Sequence, residues 1–244
     1  MTTKAQIQLA KLSDSIPLGC VLYFPGKPGG GSTIFDASSY GNHGTIYGAT
    51  WTRLPSGPWC LSFDGVDDYI DVGNRAILNS LADADGIFTA EAWIKSATTT
   101  RGTILGWGNT ATTQPFMLLQ VDGGDDLGYG VGALTLYKRD SDGTDLLSLG
   151  KSGKPVNDNS WHYVVLAREE NDFYRLYIDG SEWVSATLNT DALIVNSVGF
   201  GGANYNGWTF LLNGLISGGR VYNRPLSALE IQNRYNQTKH LFRE

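Results

Sequence analysis

The sequence predicts an all-β protein built as one domain. Three observations carry that expectation. Glycine is abundant, at 31 of 244 residues, and aromatics make up 11%, a composition suited to many short strands joined by tight turns. Turn dipeptides recur along the chain, as Pro28-Gly29, Asp64-Gly65, Asp122-Gly123, Asp142-Gly143 and Asn206-Gly207. No long amphipathic helical pattern competes with them. At 41% hydrophobic residues the chain supplies a sizeable core, and all-β sandwiches of this length commonly form a single unit.

In chain order, residues 1–17 read as a polar arm, and strand-like runs follow from about residue 18. In the run FTAEAWIK at 88–95, Phe88, Ala90, Ala92 and Ile94 are expected to face the core. Thr89, Glu91, Trp93 and Lys95 are expected to face away from it. The run WHYVVLA at 161–167 is apolar at both parities, as in a strand buried on two faces. FYRLYI at 173–178 ends in the hairpin signal Asp179-Gly180 and resumes at residue 181. One helix is signalled: Ser227 and Glu230 form a capping box, Leu226 and Ile231 a hydrophobic staple, and Ala228, Ile231 and Tyr235 a buried stripe to about Asn236. Residues 237–244 are expected to leave the domain as a tail, so that both ends are free to dock on a neighbouring chain.

Charge excludes one class of function. The chain carries 18 Lys and Arg against 24 Asp and Glu, a net charge of −6, and its basic residues are scattered. Nucleic-acid binding requires clustered cations. No stretch approaches the length of a membrane span, and the first residues lead into no apolar signal region. Cys20 and Cys60 lie in apolar runs and are expected as free, buried thiols, with a disulfide as the alternative. No Cys/His cluster has the spacing of a zinc site.

Three segments carry a family resemblance: DASSYGNHGT at 36–45, LSFDGVDDYI at 61–70 and NGLISGGRVYNRPLS at 213–227. Together they resemble the laminin G-like branch of the concanavalin A-like lectin/glucanase superfamily, over about residues 18 to 235. The resemblance implies a jelly-roll: two antiparallel sheets face to face, with one short C-terminal helix. It also implies calcium as a candidate cofactor, with Asp36 and Asn42 at positions that supply oxygen ligands in the family; the alternative is that both residues cap a tight turn. The acidic pair that commonly completes such a site is absent, because Ser217 and Gly218 stand there. The acidic turns at 122–126 and 140–145 read as solvated hairpin tips.

Glycosidase chemistry requires two carboxylates placed on one face. Glu91 is isolated, and Asp67 and Asp68, being adjacent, would point to opposite faces of a strand. No nucleophile elbow is present, and the three histidines sit in no triad-like context. The expectation is therefore a protein that is not an enzyme. For glycan binding the useful residues are loop aromatics flanked by amides. Trp107, Asn204, Tyr205, Asn206 and Trp208 are the candidates, the alternative for Trp107 and Trp208 being that they plug the ends of the sandwich as core residues. The resemblance fits a virion-associated module, decorating a bacteriophage capsid or tail and contacting host glycans or another structural chain. A cellular carbohydrate-binding or adhesion module is the alternative.

Overall fold

The computed structural model describes residues 16–26, 28, 31–112, 115–141, 146–188 and 193–243. Residues 1–15 of the expected arm at 1–17, the turns at Gly29 and Asp142-Gly143, and part of the acidic loop 140–145 lie outside the described residues. The strands, in chain order, are β1 (Cys20–Tyr23), β2 (Thr33–Ile34), β3 (Gly44–Tyr47), β4 (Thr50–Arg53), β5 (Trp59–Asp64) and β6 (Tyr69–Gly73). After helix α1 (Ala76–Ser80) come β7 (Phe88–Ser96), β8 (Arg101–Gly108), β9 (Phe116–Asp122), β10 (Ala133–Arg139) and β11 (Leu146–Leu149). Then follow β12 (Trp161–Glu169), β13 (Phe173–Ile178), β14 (Ser181–Thr187), β15 (Ser197–Phe200), β16 (Ala203–Asn204), β17 (Trp208–Thr209), β18 (Asn213–Tyr222) and helix α2 (Ala228–Thr238).

Two eight-stranded antiparallel sheets form the sandwich. The first runs β14-β13-β12-β7-β18-β5-β4, with β1 pairing the second half of β18. The second runs β11-β10-β9-β8-β15-β6-β3-β2, and β16-β17 form a separate small hairpin. The chain passes repeatedly between the sheets, so strands distant in sequence become neighbours and one apolar layer is buried between them. Phe88, Ala90, Ala92 and Ile94 all lie in that layer, as their alternation requires. The Asp179-Gly180 turn has positive φ at both residues, the conformation that matches the twist of a two-residue hairpin. Cys20 and Cys60 are free, and burial pushes both thiols up to about 11, which leaves them protonated and unreactive.

The outward face of β7 departs from the expectation. Thr89, Glu91 and Trp93 point away from the intersheet core but are buried all the same. A second apolar layer, with Trp93, Trp161, Tyr163, Val165 and Ile231, lies between the first sheet and α2. The Ser227–Glu230 capping box forms and fixes where α2 starts. Glu91 fixes how the helix sits. One carboxylate oxygen accepts from Arg220 Nη1 at 2.9 Å and Tyr222 Oη at 3.1 Å, with Arg234 Nε of α2 at an ion-pair distance of 3.2 Å. The other oxygen accepts from Tyr163 Oη. Burial, reinforced by the Glu91 charge, raises both phenols well above their ordinary range, so both stay donors.

Nor do the last residues leave the domain. Past α2, Phe242 stacks on Trp93 at 4.3 Å and packs on Trp161 at 5.0 Å. Trp93 Nε1 donates to Thr238 at 3.1 Å, and Ser56 donates to the Leu241 carbonyl. The sequence expectation failed because β7 and β12 present Trp93 and Trp161 on one outward face, a juxtaposition made only by strand pairing.

Candidate binding surface on the second sheet

The outer face of the second sheet is built from residues whose neighbours in sequence face the core. Ile46, Ile70 and Val72 point inward, so Tyr47 and Tyr69 point outward from the paired strands β3 and β6. The next strand, β15, presents Gly199 outward. A Cβ there would overlap the Trp208 ring, so glycine is what lets that indole lie against the sheet. The β16-β17 hairpin folds across the sheet and delivers Trp208 beside Tyr69. The result is a ladder: Tyr47 to Tyr69 at 4.6 Å and 23°, then Tyr69 to Trp208 at 3.9 Å and 16°. Tyr47 is 45% exposed, so the ladder ends on a ring with free surface.

The other flank of the hairpin continues the aromatic surface. Tyr205 packs on Phe116 at 4.9 Å, Phe116 on Tyr137 at 5.1 Å, and the Arg101 guanidinium lies 3.7 Å over Phe210 and 4.8 Å over Tyr137. Asn204, half-buried, accepts the Gly207 N–H within the hairpin turn, whereas Asn206 is exposed at the hairpin tip with φ of 58°. Four of the five candidate ligand residues thus share this hairpin. Trp107 does not belong with them. It is fully buried, packs on Phe88 at 5.1 Å and donates its indole N–H to the Leu78 carbonyl at 3.0 Å. A bulge between Thr103 and Leu105 reverses the alternation of β8 and sends Trp107 into the core.

Further along the second sheet, Thr103, Gln120 and Thr135 form one cross-strand row through β8, β9 and β10, each fully buried. The Thr103 and Thr135 hydroxyls and both ends of the Gln120 amide have no hydrogen-bond partner among the described residues. Polar atoms in such a setting generally bond ordered water.

Asp36 and Asn42 come together in one hydrogen-bonded turn. Asp36 Oδ1 accepts from the N–H groups of Tyr23 and Ser38, both at 2.8 Å. Its Oδ2 accepts from Ser38 Oγ at 2.6 Å and the Asn42 N–H at 2.8 Å, while Asn42 Nδ2 donates to the Val21 carbonyl at 2.7 Å. Those four bonds use the acceptor capacity a cation would need. Asp36→Ala is expected to cost about 2 kcal/mol by orphaning buried N–H groups. Calcium added after chelation is expected to leave the melting temperature unchanged. A calcium-dependent rise lost in Asp36→Ala would return the pair to metal binding.

Asp64, Asp67 and Asp68 place ligand atoms within 4.8 Å of one another. Asp67 and Asp68 do not diverge as a strand would require, because they sit in the turn ahead of β6. Within that turn the Asp64 N–H donates to Asp68, and Asp64 in turn accepts from Val66. His162 bridges Asp158 and Asp179, each at 3.1 Å, rather than a carboxylate and a nucleophilic hydroxyl. Glu91, at no exposed face, is spent on its arginines and tyrosines. Among the described residues, no helix is long and apolar enough to cross a membrane.

Tyr47, Tyr69, Phe116, Tyr137 and Arg101 were not among the sequence candidates. The available signal was parity: GTIY at 44–47 and YIDV at 69–72 each set an aromatic at the position opposite a core-facing residue.

A two-sheet sandwich whose outer aromatic surface is carried by a strand-borne ladder and a hairpin defines the class as a lectin-like β-sandwich. The chain belongs to the laminin G-like family of the concanavalin A-like lectin/glucanase superfamily, whose family model matches residues 64–232. Among solved structures, the binding domain of Paraclostridial Mosquitocidal Protein 1 is similar at a TM-score of 0.64 and 15% identity, over 89% of this chain and 52% of that one. The binding domain of botulinum neurotoxin DC in complex with rat synaptotagmin II matches at a TM-score of 0.65 and 14% identity, over 91% and 52%. The same domain in complex with SialylT matches at 0.63 and 13%, over 91% and 52%. At these identities the likeness is one of fold, and this chain spans about half the length of those binding domains. No curated protein matches it in sequence.

Proposed function

We propose that this chain is a non-catalytic binding module that presents the outer face of its second sheet to saccharides. The Tyr47–Tyr69–Trp208 ladder carries the reading. Its rings are held by stacking on one another, so a sugar face can dock on Tyr47 without ordering a mobile side chain first. Membership of a lectin-like superfamily supports it, as does a fold shared with toxin binding domains, one of them solved with SialylT. Display on a virion, as a capsid-decorating or tail component, is the setting we propose, on the strength of the family resemblance. Co-sedimentation with particles tests it.

The binding itself is tested on an immobilised glycan panel followed by titration calorimetry. Tyr47→Ala and Trp208→Ala are each expected to weaken binding by about tenfold or more, the scale of one lost stacking contact with its buried area. Tyr47→Ala should leave thermal unfolding nearly unchanged. Affinity indifferent to both substitutions would move the site elsewhere, and reproducible release of reducing sugar would overturn the non-catalytic assignment.

A further inference from the structure

Among the described residues, Arg139 has neither of the partners that hold most arginines of the sandwich, a carboxylate or, for Arg53 and Arg75, a backbone carbonyl. Arg168, Arg175, Arg220, Arg224 and Arg234 all pair with carboxylates. Among the described residues Arg139 has no ion-pair partner, and its buried Nε has no hydrogen-bond acceptor. The register explains its position. Gly108, Phe116 and Arg139 form one cross-strand row through β8, β9 and β10, with the guanidinium carbon 5.9 Å from the Phe116 ring. Glycine at 108 lets the Asn204 backbone and Tyr205 approach β8 closely, which sets the hairpin over that row. Arg139 acts electrostatically on the Tyr205 phenol, and Tyr137 lies two residues before it on the same face of β10. Half-buried in a chain of net charge −6, this guanidinium lies over Phe116 and, among the described residues, meets no carboxylate.

We propose that Arg139 is an anion subsite of the binding surface, taking the carboxylate or sulfate of an acidic saccharide against Phe116 and Tyr205. A guanidinium presents a planar fork of donors that matches either oxyanion, and its partial burial strengthens the charge-assisted bonds. Asn206, exposed at the tip of the same hairpin, offers an amide for neighbouring hydroxyls. This inference rests on the saccharide reading above and narrows it from glycans in general to acidic ones.

The test uses the full chain on a panel of matched neutral, carboxylated and sulfated oligosaccharides, with titrations of sialyllactose, a sulfated lactose and lactose. Acidic members are expected to bind at least tenfold more tightly than the neutral one, with an advantage that shrinks as salt is raised. Comparison of the carboxylated and sulfated members identifies which anion the subsite prefers. Arg139→Gln should reduce acidic ligands to the neutral level, and Arg139→Lys should recover part of the difference, both with unchanged thermal unfolding. If Arg139→Gln itself unfolds, the salt dependence of the parent protein and the Arg139→Lys variant still decide. Neutral and acidic members bound equally, with Arg139→Gln altering neither, would overturn the subsite and leave the saccharide reading standing. A panel on which nothing binds would overturn both.

Discussion

Glu91→Ala is expected to lower stability by about 3–5 kcal/mol, the usual cost of removing one partner from a buried charge network. The carboxylate is fully buried and is shared by Arg220, Arg234, Tyr163 and Tyr222. Without it, two guanidinium groups face each other between the first sheet and α2 with no anion between them. For a chain of this size that corresponds to a melting temperature lower by roughly 6–20 °C. Glu91→Gln keeps the shape but not the charge and is expected to fall on the same side. Arg234 is the only member of the network that comes from α2, so the double substitution with Arg234→Met should recover part of the loss. An unchanged melting temperature in Glu91→Ala would remove the network from the account of how α2 is held.

Truncation after Thr238 is expected to destabilise the sandwich by about 3 kcal/mol, the scale of losing one well-packed aromatic side chain and its neighbours. Phe242 closes the outward face over Trp93 and Trp161, and residues 241–243 wall a cavity of about 400 Å³ with Leu54, Pro55 and Trp161. Removing the segment should expose both indoles, which is read as a red-shifted tryptophan emission together with the lower melting temperature. The sequence suggested the opposite: two free arms, residues 1–17 and 237–244, whose joint removal would leave unfolding nearly unchanged and weaken incorporation into an assembly. Unchanged unfolding and emission, with impaired assembly, would reinstate a free tail.

The sequence by itself determined the local grammar of this protein. Alternation placed Phe88, Ala90, Ala92 and Ile94 on the core side of β7, the Asp179-Gly180 pair set a hairpin, and the Ser227–Glu230 box started α2. Each is encoded within a few residues by pleat, turn or capping geometry, and the family motifs, spread along the chain, supplied the two-sheet topology. The hairpin carrying Trp208 was legible for the same reason, as a glycine-rich loop with clustered aromatics and amides. Tertiary structure alone decided what each outward face meets. Glu91 looked solvent-facing until strand pairing put Tyr163, Arg220 and Tyr222 around it and α2 brought Arg234 above. Trp107 looked like a loop aromatic until a single bulge in β8 turned it inward. Tyr47, Tyr69 and Trp208 are separated by 22 and 139 positions along the chain and meet only because β3, β6 and β15 are neighbours in one sheet and Gly199 leaves room for an indole. Periodicity states which face a side chain takes; which distant residues cover that face depends on strand order, and strand order is a property of the whole fold.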